Sequence, residues 1–103
     1  MKKIIEGKRY NTETATEIYD WSRGIPGDFN YRRKTLYHTK KGAWFIHHVG
    51  GPNTDMAVAV WDNSFSGSED IEPIGEDEAF EFLQKYDGIE ALEKHFGDQV
   101  TDA

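Results

Sequence analysis

Along the chain, short β-rich runs come first and a helical period comes last. The densest run lies at 35–49. Thr35-Leu-Tyr-His-Thr39 and Ala43-Trp-Phe-Ile-His-His-Val49 flank a polar turn with Gly42 near its end, which predicts a β-hairpin. Ahead of it, 2–5 and 8–10 predict two short strands paired across Glu6-Gly7. Residues 11–15, rich in Asn and Thr, predict one helical turn. Residues 16–22 predict a strand with Ile18 on one side and Tyr19 and Trp21 on the other. Gly24, Pro26 and Gly27 make 23–28 a loop, and 29–34 leads into the hairpin.

Gly50-Gly51-Pro52-Asn53 breaks the pattern after the hairpin. The most apolar run follows at 56–61, where Ala57 and Ala59 alternate with Val58 and Val60. It predicts a strand whose alanine side lies under something bulky, such as a helix. Residues 62–70 read as a polar loop exposing Phe65, and 71–74 as a short strand that Pro73 confines to a sheet edge. From 76 the period changes. Ala79, Phe82, Leu83 and Tyr86 fall on one helical face, with Glu76, Asp77 and Glu78 in the first turn, where they complement the helix dipole. A second helix is predicted over 88–96, capped by Asp87, with Ile89, Leu92 and Phe96 on one face and Gly97 just past its end. The tail, 98–103, is expected to fray.

Strands first and helices last predict an α+β domain over residues 1–103: an antiparallel sheet of about five strands with two C-terminal helices packed on one face. Two helices cover only one side of a sheet. The other side is therefore expected to show aromatics such as Tyr31, Tyr37 or Trp44.

Charge changes the picture. The net charge of −7 is unevenly spread. Residues 1–61 hold ten Lys/Arg and six Asp/Glu, a balance of +4. Residues 62–103 hold two Lys and thirteen Asp/Glu, a balance of −11. Such asymmetry serves either as a solvated helical surface or as an acidic face that steers a basic partner. Direct binding of nucleic acid is disfavoured by the net field. The absence of cysteine excludes disulfides and thiol nucleophiles, and fits a reducing compartment. Neither the N-terminal residues nor the 56–61 run has the apolar length of a signal peptide or a membrane span. The expectation is a cytoplasmic bacterial protein with no membrane association.

Candidate chemistry is sparse. His38 and His47 are expected on one face of the hairpin, diagonal to each other, where they could serve as metal ligands or as an acid–base pair. No third ligand stands at a recognisable spacing. Counting from Asp62, Gly67 falls at the sixth place of a calcium loop, but Pro73 falls where the closing glutamate belongs. Ser64, Ser66 and Ser68 lack the strand–turn–helix setting of a nucleophile elbow. No metal, cofactor or catalytic residue is assigned.

Several segments together resemble a family of roughly hundred-residue bacterial proteins, mostly uncharacterised, from phages, plasmids and conjugative elements. They are Met1-Lys-Lys-Ile-Ile-Glu-Gly-Lys-Arg-Tyr-Asn-Thr-Glu-Thr-Ala15, Leu36-Tyr-His-Thr-Lys-Lys-Gly-Ala-Trp-Phe45, Gly50-Gly51, and Ala79 within the acidic helix. Where that family carries an acidic residue shortly before Leu-Tyr, this chain has Arg32-Arg33-Lys34. In size and charge such proteins resemble anti-CRISPR proteins, several of which present carboxylates where DNA phosphates would lie. The resemblance implies a non-enzymatic inhibitor, with a DNA-mimicking surface, of a host nucleic-acid-binding defence complex. Its partner would be a basic protein such as a CRISPR effector subunit. Glu69, Asp70, Glu72, Glu76, Asp77, Glu78 and Glu81 are the expected contact residues. One alternative is a nucleic-acid-binding module using Tyr31, Arg32, Arg33, Lys34, Tyr37, Lys40 and Lys41. The other is a small metal-dependent hydrolase using His38 and His47.

Overall fold

The chain opens with a two-stranded ribbon, β1 (Lys2–Ile5) and β2 (Lys8–Asn11), closed by Glu6 and Gly7 at φ 52° and 78°. Two successive positive φ values give a turn whose twist suits a tight hairpin. Asn11 then accepts the Glu13 N–H on its side chain and the Ala15 N–H on its carbonyl, forming the expected turn. β3 (Thr16–Arg23), β4 (Arg32–His38) and β5 (Trp44–Gly50) follow. Next come β6 (Val58–Trp61), β7 (Ser64–Ser66) and β8 (Ser68–Ile74). Helices α1 (Glu76–Lys85) and α2 (Ile89–Phe96) close the chain, with a 3₁₀ turn at Gly97–Gln99. The computed structural model describes residues 1–61 and 64–103. Asp62 and Asn63, which begin both the predicted polar loop and the rejected calcium loop, lie outside the described residues.

The fold is α+β. Its main sheet is antiparallel with strand order β3-β4-β5-β8, four strands where about five were expected, and β1–β2 and β6–β7 form separate ribbons. The central hairpin sets the register: Leu36 lies opposite Ile46 and His38 opposite Trp44. Alternation along β4 and β5 then gives the sheet two apolar faces. On one, Leu36, Trp44 and Ile46 pack with Ala79, Phe82, Leu83 and Phe96 of the helices. On the other, Phe45 and Ile71 pack with Tyr10 of the β1–β2 ribbon, and Tyr37 stacks on Phe45 at 5.1 Å. Leu36, Phe45 and Leu83 are fully buried. Burial of this kind contributes roughly 1.5–3 kcal/mol per side chain.

The structure departs from the pattern in five places. First, the register of β3 shifts between Glu17 and Tyr19, and this bulge brings Ile18 to the helix-facing cluster alongside Tyr19. Second, β8 runs from Ser68 and pairs with the full length of β5. It takes the edge that the 56–61 run would have needed, so β6 pairs only with β7. No helix covers Ala59, and Val58, Val60 and Phe65 are exposed. Third, Trp44 is not displayed on an open face. It lies under α2, stacked on Phe96, while Tyr37 and Tyr31 are half-buried. Fourth, Asp87 does not cap α2. It sits at φ 60°, and Gly88 precedes the helix. Gly88 packs so closely that a Cβ there would stand 2.8 Å from Leu83 Cδ2. Ile89, expected on the buried face, is exposed. Fifth, Gly97 has φ −56° and continues into the 3₁₀ turn instead of terminating α2 in a left-handed conformation.

Candidate functional site

The seven carboxylates proposed as a partner surface occupy the β8 edge and the start of α1, joined by Gly75. All seven are exposed. They do not present alike. Successive residues of β8 point to opposite faces. Glu69, opposite Val49, accepts a hydrogen bond from His47 Nε2 at 2.9 Å. Glu72, opposite Ile46, accepts one from His48 Nε2 at 2.8 Å. Asp70 is salt-bridged to Lys3 of the ribbon and also accepts the Ile71 N–H. The Lys3 hydrogen bond and the Ile71 N–H hold the Asp70 carboxyl below its ordinary range, against the opposing effect of burial. The three strand carboxylates are thus engaged within the chain.

Those on α1 divide again. Glu78 Oε1 accepts the Gly75 N–H at 3.2 Å, closing the helix N-terminus. Glu76, Asp77 and Glu81 make no ion pair or hydrogen bond among the described residues. Asp77 and Glu81 stand four apart on the outer helix surface, opposite the buried Ala79, Phe82 and Leu83. Like charges at that spacing destabilise a helix by roughly 0.2–0.5 kcal/mol. The dipole offsets this for Glu76 and Asp77 in the first turn, but its influence fades by Glu81.

The basic run before the hairpin is engaged within the chain, and Arg32 alone of the three is buried. Arg32 is 3% exposed and cannot serve as a nucleic-acid contact. Its guanidinium donates to Asp55 through Nε at 2.6 Å and Nη2 at 3.1 Å, and to the carbonyls of Arg33 and Val49. Nη2 also lies 2.7 Å from His48 Nδ1. A guanidinium only donates, so Nδ1 accepts and the His48 proton sits on Nε2, where it meets Glu72. The result is an unbroken chain: Asp55, Arg32, His48, Glu72. Burial lowers the His48 pKa, and the Arg32 charge adds to this; the Glu72 hydrogen bond opposes it. Arg33 forms a two-pronged pair with Asp20 at 2.7 and 3.1 Å, and Asp20 also accepts from Thr35. Lys34 donates to the Tyr86 hydroxyl at 2.7 Å and lies near the Trp21 and Tyr86 rings. Tyr31 and Tyr37 are half-buried. Of the proposed nucleic-acid set, only Lys40 and Lys41 remain outward, at the β4–β5 turn.

The histidines do not converge. His38 pairs opposite Trp44, and His47 pairs opposite Thr35, so the two lie on opposite faces of the sheet. His38 stacks on Trp44 at 4.0 Å, with His95 of α2 edge-on at 6.3 Å. The expected diagonal pair was a register error: with His38 opposite Trp44, it is His48 that shares the His38 face. Among the described residues no group of three or more His, Cys, Asp or Glu is placed to hold a metal ion. None of their helices is long and apolar enough to cross a membrane.

Sequence reasoning missed Asp55 and Asp20, the partners of the two arginines. Asp55 sits in the Gly50–Ala57 connection, where nothing distinguishes it from a turn residue. Asp20 lies opposite Thr35 and diagonal to Arg33, a placement set by the β3–β4 register, which alternation along β3 alone does not reveal. Comparison with protein-family models, with curated proteins and with solved structures finds no match for this chain.

Proposed function

We propose that the protein is a non-enzymatic interaction module that presents an acidic surface to a basic protein partner. The observation that supports this most directly is the contrast between the two charge sets. Arg32, Arg33 and Lys34 are taken up by Asp55, Asp20 and Tyr86, whereas Glu76, Asp77 and Glu81 stay exposed and unpaired among the described residues. A helix that keeps exposed, uncompensated like charges is suited to complementary charge from outside, which speeds and orients docking. The finer reading is an inhibitor of a nucleic-acid-binding defence complex of the CRISPR type, with these carboxylates standing in for DNA phosphates. It rests on the class resemblance together with this surface. Within the reading, Glu76, Asp77 and Glu81 carry the contact, and Glu69, Asp70, Glu72 and Glu78 are mainly structural.

The test is inhibition of DNA cleavage by purified CRISPR effectors across a range of salt. The native protein is expected to inhibit at least one effector, more weakly as salt rises. E76Q/D77N/E81Q is expected to weaken inhibition about tenfold or more, mainly through slower association. A triple variant that keeps full potency and the same salt dependence would refute the acidic contact.

A further inference from the structure

A second surface is independent of the acidic helix. Between the β1–β2 ribbon and the β4–β5 turn lies a cleft of about 570 Å³. Gly7, Lys8, Arg9, Tyr10 and Asn11 line one side, Thr39, Lys40, Lys41 and Ala43 another, and Thr14 and Ala15 the end. Its volume is in the range of small-molecule sites. Its electrostatics run against the chain as a whole. Of 19 Asp and Glu none lines it, yet four of the 12 Lys and Arg do.

These four cations come from two hairpins far apart in sequence. Both hairpins are fixed by the packing of Tyr10 against Phe45, at 5.6 Å, so their convergence is part of the fold. Lys8, Arg9, Lys40 and Lys41 are exposed and make no ion pair among the described residues. The cations at Lys3, Arg32 and Arg33 each have a carboxylate. Exposed like charges around one concavity repel one another weakly in water, and an anion bound there would relieve that repulsion. The half-buried Ala15 and Ala43, packed against the Tyr10–Phe45 cluster, add a small apolar wall, and the Thr14 hydroxyl beside it donates to the Asn11 carbonyl.

We propose that this cleft binds a small phosphate ester of nucleotide size, with Lys8, Arg9, Lys40 and Lys41 holding its phosphates and the apolar wall receiving the organic part. Two or more phosphates match the four cations best. A long nucleic acid is disfavoured, because beyond the cleft it would meet the net charge of −7.

The experiment is calorimetric titration of the full chain at low salt with ADP, inorganic pyrophosphate and a single-stranded twelve-nucleotide DNA. Backbone amide NMR runs in parallel. Saturable binding of ADP is expected, with pyrophosphate weaker and with shifts at Tyr10, Ala15, Lys40, Lys41 and Ala43. The double variants K8Q/R9Q and K40Q/K41Q are each expected to lose about tenfold or more in affinity. K2Q/K94Q, of equal charge change but outside the cleft, is expected to bind as the native chain does. The four cleft side chains are exposed, and unchanged amide spectra would establish that the variants fold. Absence of saturable ADP binding below about 1 mM would overturn the proposal. So would equal losses in all three variants, or tight binding of the oligonucleotide alone. E76Q/D77N/E81Q should bind ADP unchanged, so failure of the acidic contact and failure of the cleft are separable.

Discussion

At the residue scale the decisive side chain is Arg32. A buried guanidinium is tolerated because Asp55, two carbonyls and the His48 Nδ1 together satisfy it. Arg32→Met would fill much of the same volume but leave Val49 O and His48 Nδ1 without their donor. The expected loss is about 3 kcal/mol in urea unfolding. Asp55→Asn keeps an acceptor at a largely exposed position and is expected to cost about 1 kcal/mol. The same network sets a pH dependence. His48 has its pKa lowered from the ordinary 6.5, chiefly by burial. The unfolded chain therefore binds that proton more readily, so the contribution is complete above about pH 6.5 and declines as pH falls below it. His95 is lowered in the same direction, by burial and by the Lys94 charge, and acts in the same window. Asp55, held down by the Arg32 hydrogen bond, and Asp70, held down by Lys3, lie below the ordinary 3.8. Asp20 is also lowered: burial opposes this, but the Arg33 and Thr35 hydrogen bonds outweigh it. Their contributions are present above about pH 4 and disappear below it. Acid unfolding should thus show two declines. His48→Asn should reduce the first to the part due to His95 without moving the second, as followed by urea midpoints at successive pH values. In the native chain, nitrogen NMR should find His48 neutral with its proton on Nε2.

At the element scale, sequence hydropathy ranks the strands in the wrong order. The 56–61 run is the most apolar, yet β6 stands in a ribbon with exposed valines, while β8, which begins Ser-Glu-Asp, completes the main sheet. The reason is edge competition. β5 offers one open edge, and β8 matches it over seven residues. Edge positions accept charge because their side chains reach solvent. Exchanging Val60 and Phe65 for threonine is therefore expected to change stability by less than about 0.5 kcal/mol, against a loss of about 3–5 kcal/mol for Phe45→Ala. Thermal unfolding of the three variants checks the contrast, and a large loss from Val60→Thr would place β6 in the core after all. The helices and the central hairpin were legible because their apolar positions repeat over several turns or pairs. Strand-to-strand order was not, since it depends on partners distant in sequence. The acidic surface was legible as composition alone. Only the register revealed that Glu69 and Glu72 answer His47 and His48, which leaves the outer face of α1 as the free part. The basic run Arg32-Arg33-Lys34 misled for the matching reason: a list of charges does not say which of them are already spent on neighbours.

At the scale of the whole molecule, charge is sorted by place. Carboxylates dominate the β8 edge and α1, and cations gather where the first ribbon meets the β4–β5 turn. Added salt is expected to weaken the proposed acidic contact and the proposed anion binding alike, while the pair made by the buried Arg32 is less affected. Backbones cross closely near the end of β5. A Cβ at Gly51 would stand 2.6 Å from the Phe29 carbonyl oxygen, and one at Gly67 would collide with the Gly50 carbonyl. Finally, the sheet is sealed on both sides by opposite ends of the chain. The ribbon-side core needs Tyr10, Phe45 and Ile71 together, and the helix-side core needs Leu36, Trp44 and Phe96. In a chain emerging from the ribosome, Tyr10 can therefore reach Phe45 early, but the helix-facing side stays uncovered until α1 and α2 have been made. The central hairpin must wait with that one surface wet, dependent on the arrival of the two helices for its protection from aggregation.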